Sequence, residues 1–153
     1  MVRKLALMVM ALGIVSLVIG AVFIGLAFQK NNYVVSSLRA QGVTLGLTKD
    51  QIAAGELVDS APEAQIAADT LATHLTSIAP TYGALMAKSK TGKFDPTDPT
   101  QLDYAQGLNM ENTFDTVILG FGVIQATMAT GAALIVIGLA VGVTGFGLFR
   151  LGR

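Results

Sequence analysis

The chain has 153 residues, of which 52% are hydrophobic and only 13% are charged, and its ten acidic residues balance its ten basic ones. A soluble domain carries about 25% charged residues, so this composition indicates a membrane protein with one modest polar region. The sequence contains no cysteine, which excludes disulfides, thiol catalysis, iron–sulfur clusters and thiolate zinc sites.

The first predicted element is an uncharged apolar run at residues 5–28. It holds 24 residues, and a membrane-spanning helix needs about 20. A secretory signal is the alternative interpretation, because Arg3 and Lys4 precede the run and "GLA" before Phe28 could serve as a cleavage site. The apolar part of a signal is only about 7 to 15 residues long, which favours a retained transmembrane helix.

The stretch 29–115 is predicted to be a helical region outside the membrane. Residues 29–41 continue the first helix, and Gly42 is a typical stop signal after a helix. No segment alternates strongly enough to predict a sheet. The short "VTLGL" at residues 43–47 is the one candidate strand, and we expect irregular chain there.

Three capping signals predict where later helices of this region begin. A hydroxyl residue followed three positions later by Gln or Glu can satisfy two backbone N–H groups, and this pattern occurs at Thr48 and at Ser60. Asp98 gives the third signal, with Pro99 at the first helical position. The helix after Ser60 is predicted to be amphipathic, with an apolar face made of Leu71, Leu75, Ile78 and Tyr82.

The second apolar run, residues 116–149, is 34 residues long and also uncharged. As a helix it would reach about 50 Å, well beyond a hydrocarbon core of about 30 Å. Its membrane part is therefore predicted near residues 126–149, with the preceding residues at or above the membrane surface. With Phe28 level with residue 126, residues 29–41 are predicted to lie antiparallel to residues 113–125. Tyr33 or Leu38 should then contact Phe114, Val117 or Phe121.

The charges predict an orientation. Arg3, Lys4, Arg150 and Arg153 flank the short ends of the two runs, whereas residues 29–115 contain all ten acids. Basic flanks stay in the cytoplasm, so residues 1–4 and 150–153 are expected inside and residues 29–115 outside. Both cytoplasmic ends are too short for a catalytic or signalling domain. Function is therefore expected outside the membrane or within it.

The residues that could bind a ligand form no convincing site. His74 is the only histidine, and a general base needs an oriented partner, so a surface or packing role is expected. Asp95, Asp98 and Asp103 lack the alternate spacing and the glycine of a calcium loop, and helix capping explains them more simply. No catalytic residue, metal or cofactor is predicted, and an enzyme is not expected. Ion binding by His74 or by the three aspartates is left open.

Glycines dominate the candidate interface. Gly13 and Gly20 are seven residues apart, the later glycines at 131, 138 and 145 repeat that spacing, and Gly142 follows four after Gly138. Small residues at such intervals let membrane helices approach closely. Residues 117–124 are apolar on every side, which predicts burial all round. We therefore predict a contact between chains made by Gly13, Gly20, Ile118, Phe121, Ile124, Gly131, Gly138, Gly142 and Gly145.

The segments "AQIAADTLATHLTSIAPTYGALM" and "YAQGLNMENTF" resemble bacterial two-span membrane proteins of uncharacterised function with a helical outer region. The resemblance covers most of the chain, but it implies no activity and assigns no site residue.

The predicted fold is an all-α membrane protein with two long antiparallel transmembrane helices, extended as a stalk, and a small helical extracytoplasmic head. Its expected function is that of a structural or accessory subunit in the lipid bilayer of the cell membrane, self-associating or part of a larger complex. A membrane-anchored module that binds a ligand or lipid is one alternative, and an oligomeric pore is another. The spans lack the ionisable residues that transporters and proton pumps place at depth. Nucleic acid is not expected as a partner.

Overall fold

A computed structural model of the chain describes residues 2–89 and 91–152, and within these ranges the structure is helical with no strand. The prediction of an all-helical fold is thereby confirmed. The helices are α1 Val2–Gln41, α2 Lys49–Ala53, α3 Ala61–Ile78, α4 Tyr82–Ala87 and α5 Pro99–Leu151. Of these, α1 and α5 are long and apolar enough to cross a membrane.

The chain divides into two compact units. One unit, which we call the helix pair, takes the chain up to Tyr33 and from Gly122 onwards. The other, which we call the central unit, is Val34–Phe121. Each unit includes part of α1 and part of α5, and α2, α3 and α4 belong entirely to the central unit.

The helix pair is antiparallel. Gly13 contacts Gly138, and Gly20 contacts Gly131. The contact position on α5 therefore moves toward the start of that helix as the position on α1 moves toward its end. Levelling Phe28 with residue 126 would place Gly20 opposite residue 134, and Gly20 indeed lies against both Gly131 and Ile135. These contacts agree with the predicted register within the helix pair, whereas the predicted contacts between residues 29–41 and 113–125 stay a prediction.

The core of the central unit forms around α3. Its alanine-rich first half packs with Val58 and Phe114 in one buried cluster, because alanines let neighbouring chain approach the helix closely. A second cluster contains Leu75, Ala79, Leu85 and Tyr104. Residues 43–47 form no strand, as predicted, but the amide of Val58 donates a 2.8 Å hydrogen bond to the carbonyl of Val43.

The predicted caps are present. Both capping boxes form, with the hydroxyls of Thr48 and Ser60 accepting from the third residue of α2 and of α3. The carboxylate of Asp98 accepts from the backbone amides of Thr100 and Gln101 at the start of α5. The side-chain carbonyl of Gln101 accepts from the amide of Asp95 at 2.8 Å, so this cap also orders the preceding turn.

One predicted helical face is wrong in part. Tyr82 does not continue the face of Leu71 and Leu75, because α3 ends at Ile78 and Tyr82 begins α4. The cause is Pro80, since a residue before proline avoids helical torsions, and Ala79 has φ −156° and ψ 143°. Tyr82 lies instead beside Tyr104, with ring centroids 6.4 Å apart.

Candidate functional site

The two helices of the helix pair meet through glycine. We call Gly13, Gly20, Gly131, Gly138 and Gly145 the glycine seam. A Cβ placed on Gly131 would lie 2.8 Å from the carbonyl oxygen of Gly20, and one placed on Gly13 would lie 2.8 Å from that of Gly138. Such distances leave no room for a side chain, so the backbones themselves are in contact.

Two alanines extend the seam on α1. Ala6 and Ala27 continue the seven-residue spacing of Gly13 and Gly20 in both directions, and they are 0% and 2% exposed. The carbonyl of Ala6 lies 3.1 Å from a Cβ built on Gly145. These two alanines were not predicted from the sequence, although their seven-residue spacing was the signal that could have found them.

One hydrogen bond joins α1 and α5 beside the glycine seam. Ser16 on α1 donates a 2.8 Å hydrogen bond to the backbone carbonyl of Leu134 on α5. The hydroxyls on α5 in this unit bond instead to carbonyls of their own helix, as seen at Thr127, Thr130 and Thr144. Ser16 therefore supplies a polar contact between the helices that fixes their register.

The residues predicted to contact another chain differ in their contacts and burial within this chain. The five seam glycines pack between α1 and α5. Phe121 and Ile124 are 6% and 7% exposed, and Ile118 is half-buried against the alanine-rich cluster of the central unit. A contact between chains at these positions stays a prediction. Gly142 also contacts α1 through its backbone, because its amide nitrogen lies 2.7 Å from a Cβ built on Gly13, but a Cβ on Gly142 itself would have nothing within 4 Å.

A second stripe of small residues lies on the other side of α5. Ala126, Ala133, Ala140 and Gly147 are spaced by seven residues, and all four are exposed. Ala133, Ala140 and Gly147 each follow a seam glycine by two residues, which corresponds to a rotation of about 200° around an α-helix. This stripe, which we call the outer stripe, faces away from α1 and has the same spacing as the seam.

The remaining surface of the helix pair is apolar and open. Its large side chains point outward, as at Val136 and Val143, which are 66% and 71% exposed. Residues 5–28 and 122–149 contain no Asp, Glu, Lys or Arg. Apolar surface left in water costs about 25 cal/mol per Å², so a surface of this extent is suited to lipid or to another protein.

A groove opens on one side of the helix pair. It has a volume of about 250 Å³ and is lined only by glycine and large apolar residues. The glycines are Gly13, Gly138 and Gly142, and the larger residues include Leu17, Val143 and Phe146. The groove exists because Gly142 places no side chain in it.

Two arginines are held on aromatic rings at one end of the helix pair. The guanidinium of Arg150 lies 5.0 Å from the ring centroid of Phe146, and that of Arg3 lies 4.9 Å from that of Phe149. A cation over a ring face is attracted by the quadrupole of the ring. Because residues 2–33 and 122–152 contain no Asp or Glu, these cations have no carboxylate side chain in their own unit.

Among the polar candidates of the central unit, His74 and Asp103 form a pair, whereas Asp95 and Asp98 make other hydrogen bonds. The Nε2 atom of His74 lies 3.1 Å from a carboxylate oxygen of Asp103, and both side chains are exposed. Asp98 caps α5, and Asp95 accepts hydrogen bonds from the hydroxyl and the amide of Thr97, which lower the pKa of Asp95 below 3.8. Across residues 2–89 and 91–152, no group of three or more such side chains could hold a metal ion.

The central unit also has a small polar cavity of about 230 Å³. It lies among Leu85, Lys88, Ser89 and Gln101. Gln101 is 4% exposed, and its amide group bonds to Asp95 and to Asp98. The buried polar group at this cavity thus already has partners within the chain.

The glycine seam, the outer stripe, the groove and the ring-held arginines are therefore the features of the helix pair from which a function can be argued. No protein-family model, no curated protein and no solved structure matches this chain.

Proposed function

We propose that this protein is a structural or accessory subunit of the cell membrane. In this proposal the helix pair spans the bilayer, and the central unit is a head outside it. The subunit assembles with further copies of itself through the outer stripe. The observation that carries the proposal is the repetition, on the exposed side of α5, of the small-residue spacing that packs α5 against α1.

Membrane insertion is supported by the surface of the helix pair. The 18-residue apolar windows of α1 and α5 are only 11% buried, whereas the core helix of a soluble protein would be mostly buried. Lipid satisfies such a surface, and the helical backbone satisfies its own hydrogen bonds there. The orientation with both termini cytoplasmic is supported by the basic residues Arg3, Lys4 and Arg150 at one end.

Self-association is supported by the physics of helix contacts in lipid. Apolar side chains gain little there from leaving lipid, so close backbone packing between small residues provides the attraction. The seam uses this contact within the chain. A Cβ on Gly147 would meet nothing within 4 Å, so the outer stripe leaves α5 open to the same contact with another helix. Copies in one membrane share their orientation, which suits a two-fold interface.

The topology can be tested with single cysteines, because the chain has none of its own. Thr91 lies in an exposed loop of the central unit, and Gly152 is exposed just beyond α5. In intact cells, a membrane-impermeant maleimide should label Thr91→Cys and should label Gly152→Cys only after the membrane is opened. Equal labelling of both variants in intact cells would contradict the proposed orientation.

The assembly can be tested by oxidative cross-linking in native membranes. A disulfide needs Cα atoms about 4.4 to 6.8 Å apart, so Ala133→Cys and Ala140→Cys should form dimers if two outer stripes meet. Ala132→Cys is the matched control, because Ala132 is equally exposed but lies about 100° away around the helix. Dimers that form no faster at the stripe positions than at Ala132 would exclude this interface.

A further inference from the structure

We propose that the helix pair binds one anionic phospholipid, with the phosphate at the guanidinium of Arg150 and one acyl chain in the groove beside Gly142. This inference rests on the membrane insertion proposed above. It is independent of the outer stripe, because neither Arg150 nor Gly142 belongs to it.

The charge at this end of the helix pair selects an anion. Arg3 and Lys4 lie at the start of α1, and Arg150 lies at the end of α5. Because the two helices are antiparallel, these three basic residues are at the same end of the helix pair, which has no Asp or Glu to neutralise them. Phe146 and Phe149 are three residues apart, so their rings are neighbours on α5. The arginines that they hold can therefore act on one ligand. A stacked guanidinium keeps its in-plane N–H donors, which match the oxygens of a phosphate.

The groove can accommodate an acyl chain of the lipid. Phe146 connects the two parts, because its ring supports Arg150 and also lines the groove. From Phe146 the groove continues to Gly138, which is a length of about 12 Å along the helix at 1.5 Å per residue. It runs from the charged end toward the middle of the span. This is the path that an acyl chain follows from its headgroup.

The charges favour a lipid over a second copy of the chain as the occupant. A copy docked in the groove by a two-fold axis would bring its own Arg150 close to the first, with no Asp or Glu side chain in either helix pair to separate them. Like charges so placed repel each other. The phosphate of an anionic phospholipid instead neutralises the charge of Arg150. Its acyl chain makes apolar contacts with the residues that line the groove.

Two substitutions test the two halves of the site. Arg150→Gln removes the charge, and Gly142→Leu places an apolar side chain in the groove from a position where a Cβ has open space. Lys30→Gln is the control for charge, since it removes a basic residue near the other end of the helix pair. Gly25→Leu is the control for bulk, since Gly25 is also a helical glycine with nothing within 4 Å.

The measurement is native mass spectrometry of the full chain, released from mild detergent micelles that contain phosphatidylglycerol and phosphatidylcholine in equal amounts. We expect the unchanged chain to retain phosphatidylglycerol preferentially. Arg150→Gln should reduce this preference by about tenfold, the order expected for a charge-assisted hydrogen bond. Gly142→Leu should reduce retention of the lipid several-fold, and the two controls should behave like the unchanged chain.

Three outcomes would overturn the proposal. The first is equal retention of the two lipids, and the second is equal loss in Gly25→Leu and Gly142→Leu. The third is displacement of the lipid by millimolar inorganic phosphate, which would assign the site to a free anion. Carbonate extraction of membranes separates this failure from that of the proposed function. A chain that resists extraction but shows no lipid preference lacks only the lipid site, whereas a chain that is extracted lacks both.

Discussion

A Cβ placed on Gly20 would lie 2.6 Å from the backbone carbonyl oxygen of Gly131. Each of these glycines occupies the space that a side chain on the other would need. This reciprocal contact brings the axes of α1 and α5 closer than larger residues allow. The dispersion attraction along the whole seam depends on that short distance.

Gly20→Ala should therefore destabilise the helix pair. The added methyl group meets backbone, which cannot rotate away, and overpacking of this kind costs about 1 to 3 kcal/mol. The measurement is reversible unfolding in mixed micelles of mild detergent and sodium dodecyl sulfate, followed by circular dichroism.

Gly25→Ala is the matched control for this substitution. Gly25 lies on the same helix, and a Cβ there has nothing within 4 Å. Alanine also has a higher helix propensity than glycine, so the control should leave stability unchanged or increase it. Equal destabilisation by the two variants would show that the seam is not a close contact.

Ser16→Ala should weaken the same contact by less. The variant loses the hydrogen bond to the carbonyl of Leu134, and such bonds between membrane helices contribute about 0.6 kcal/mol on average. Thr144→Ala is the control, because its hydroxyl bonds only to Ala140 in its own helix. A larger loss for Thr144→Ala than for Ser16→Ala in the same unfolding assay would contradict this role for Ser16.

Much of the fold could be predicted because its signals are local. Ser60 and Asp98 each begin a helix within a few residues of their own position, so the caps follow from short sequence patterns. The end of α3 was also encoded locally in Pro80, but the apparent spacing of Tyr82 hid it. The register of α1 and α5 within the helix pair could be predicted from charge and length, because a helix expected to cross a membrane is limited by both.

The site was harder to predict from the sequence. In α5 apolar residues cover every side, so hydrophobicity does not show which side meets α1, and only the positions of small residues carry that information. Gly13 and Gly138 were predicted to lie in a contact between chains; the structure shows them packed between α1 and α5 of one chain, and the contact between chains stays a prediction. Stacking of Arg150 on Phe146 depends on side-chain conformation, which spacing alone does not determine.

Ser60→Ala should destabilise the central unit by about 1 kcal/mol, the usual cost of losing an N-terminal cap. The hydroxyl of Ser60 accepts from the amide of Glu63, and the carboxylate of Glu63 accepts from the amide of Ser60, so the variant loses one half of a reciprocal cap. Ser77→Ala is the control, because its hydroxyl bonds to the carbonyl of His74 near the other end of α3. Amide hydrogen exchange of α3 would report the difference, and faster exchange in both variants alike would contradict it.

The last prediction concerns pH. The pKa of Asp95 lies below 3.8 because the hydroxyl of Thr97 and then its backbone amide donate to the carboxylate. A group whose pKa is lowered by folding adds stability above its unfolded pKa and loses that contribution as pH falls through the folded value. The contribution of Asp95 should therefore be complete above about pH 5 and should disappear as the pH falls through the folded pKa.

Thr97→Val tests this dependence, because it removes the hydroxyl but keeps the backbone amide. The pKa of Asp95, followed by the carboxyl carbon resonance in an NMR titration, should rise toward 3.8 and still remain below it. Thr113→Val is the control, since that hydroxyl bonds only to the carbonyl of Asn109 in its own helix. If the titration of Asp95 were the same in Thr97→Val as in the unchanged chain, the hydroxyl would not be the cause of the lowered pKa, and the turn before α5 would depend on the backbone bond alone.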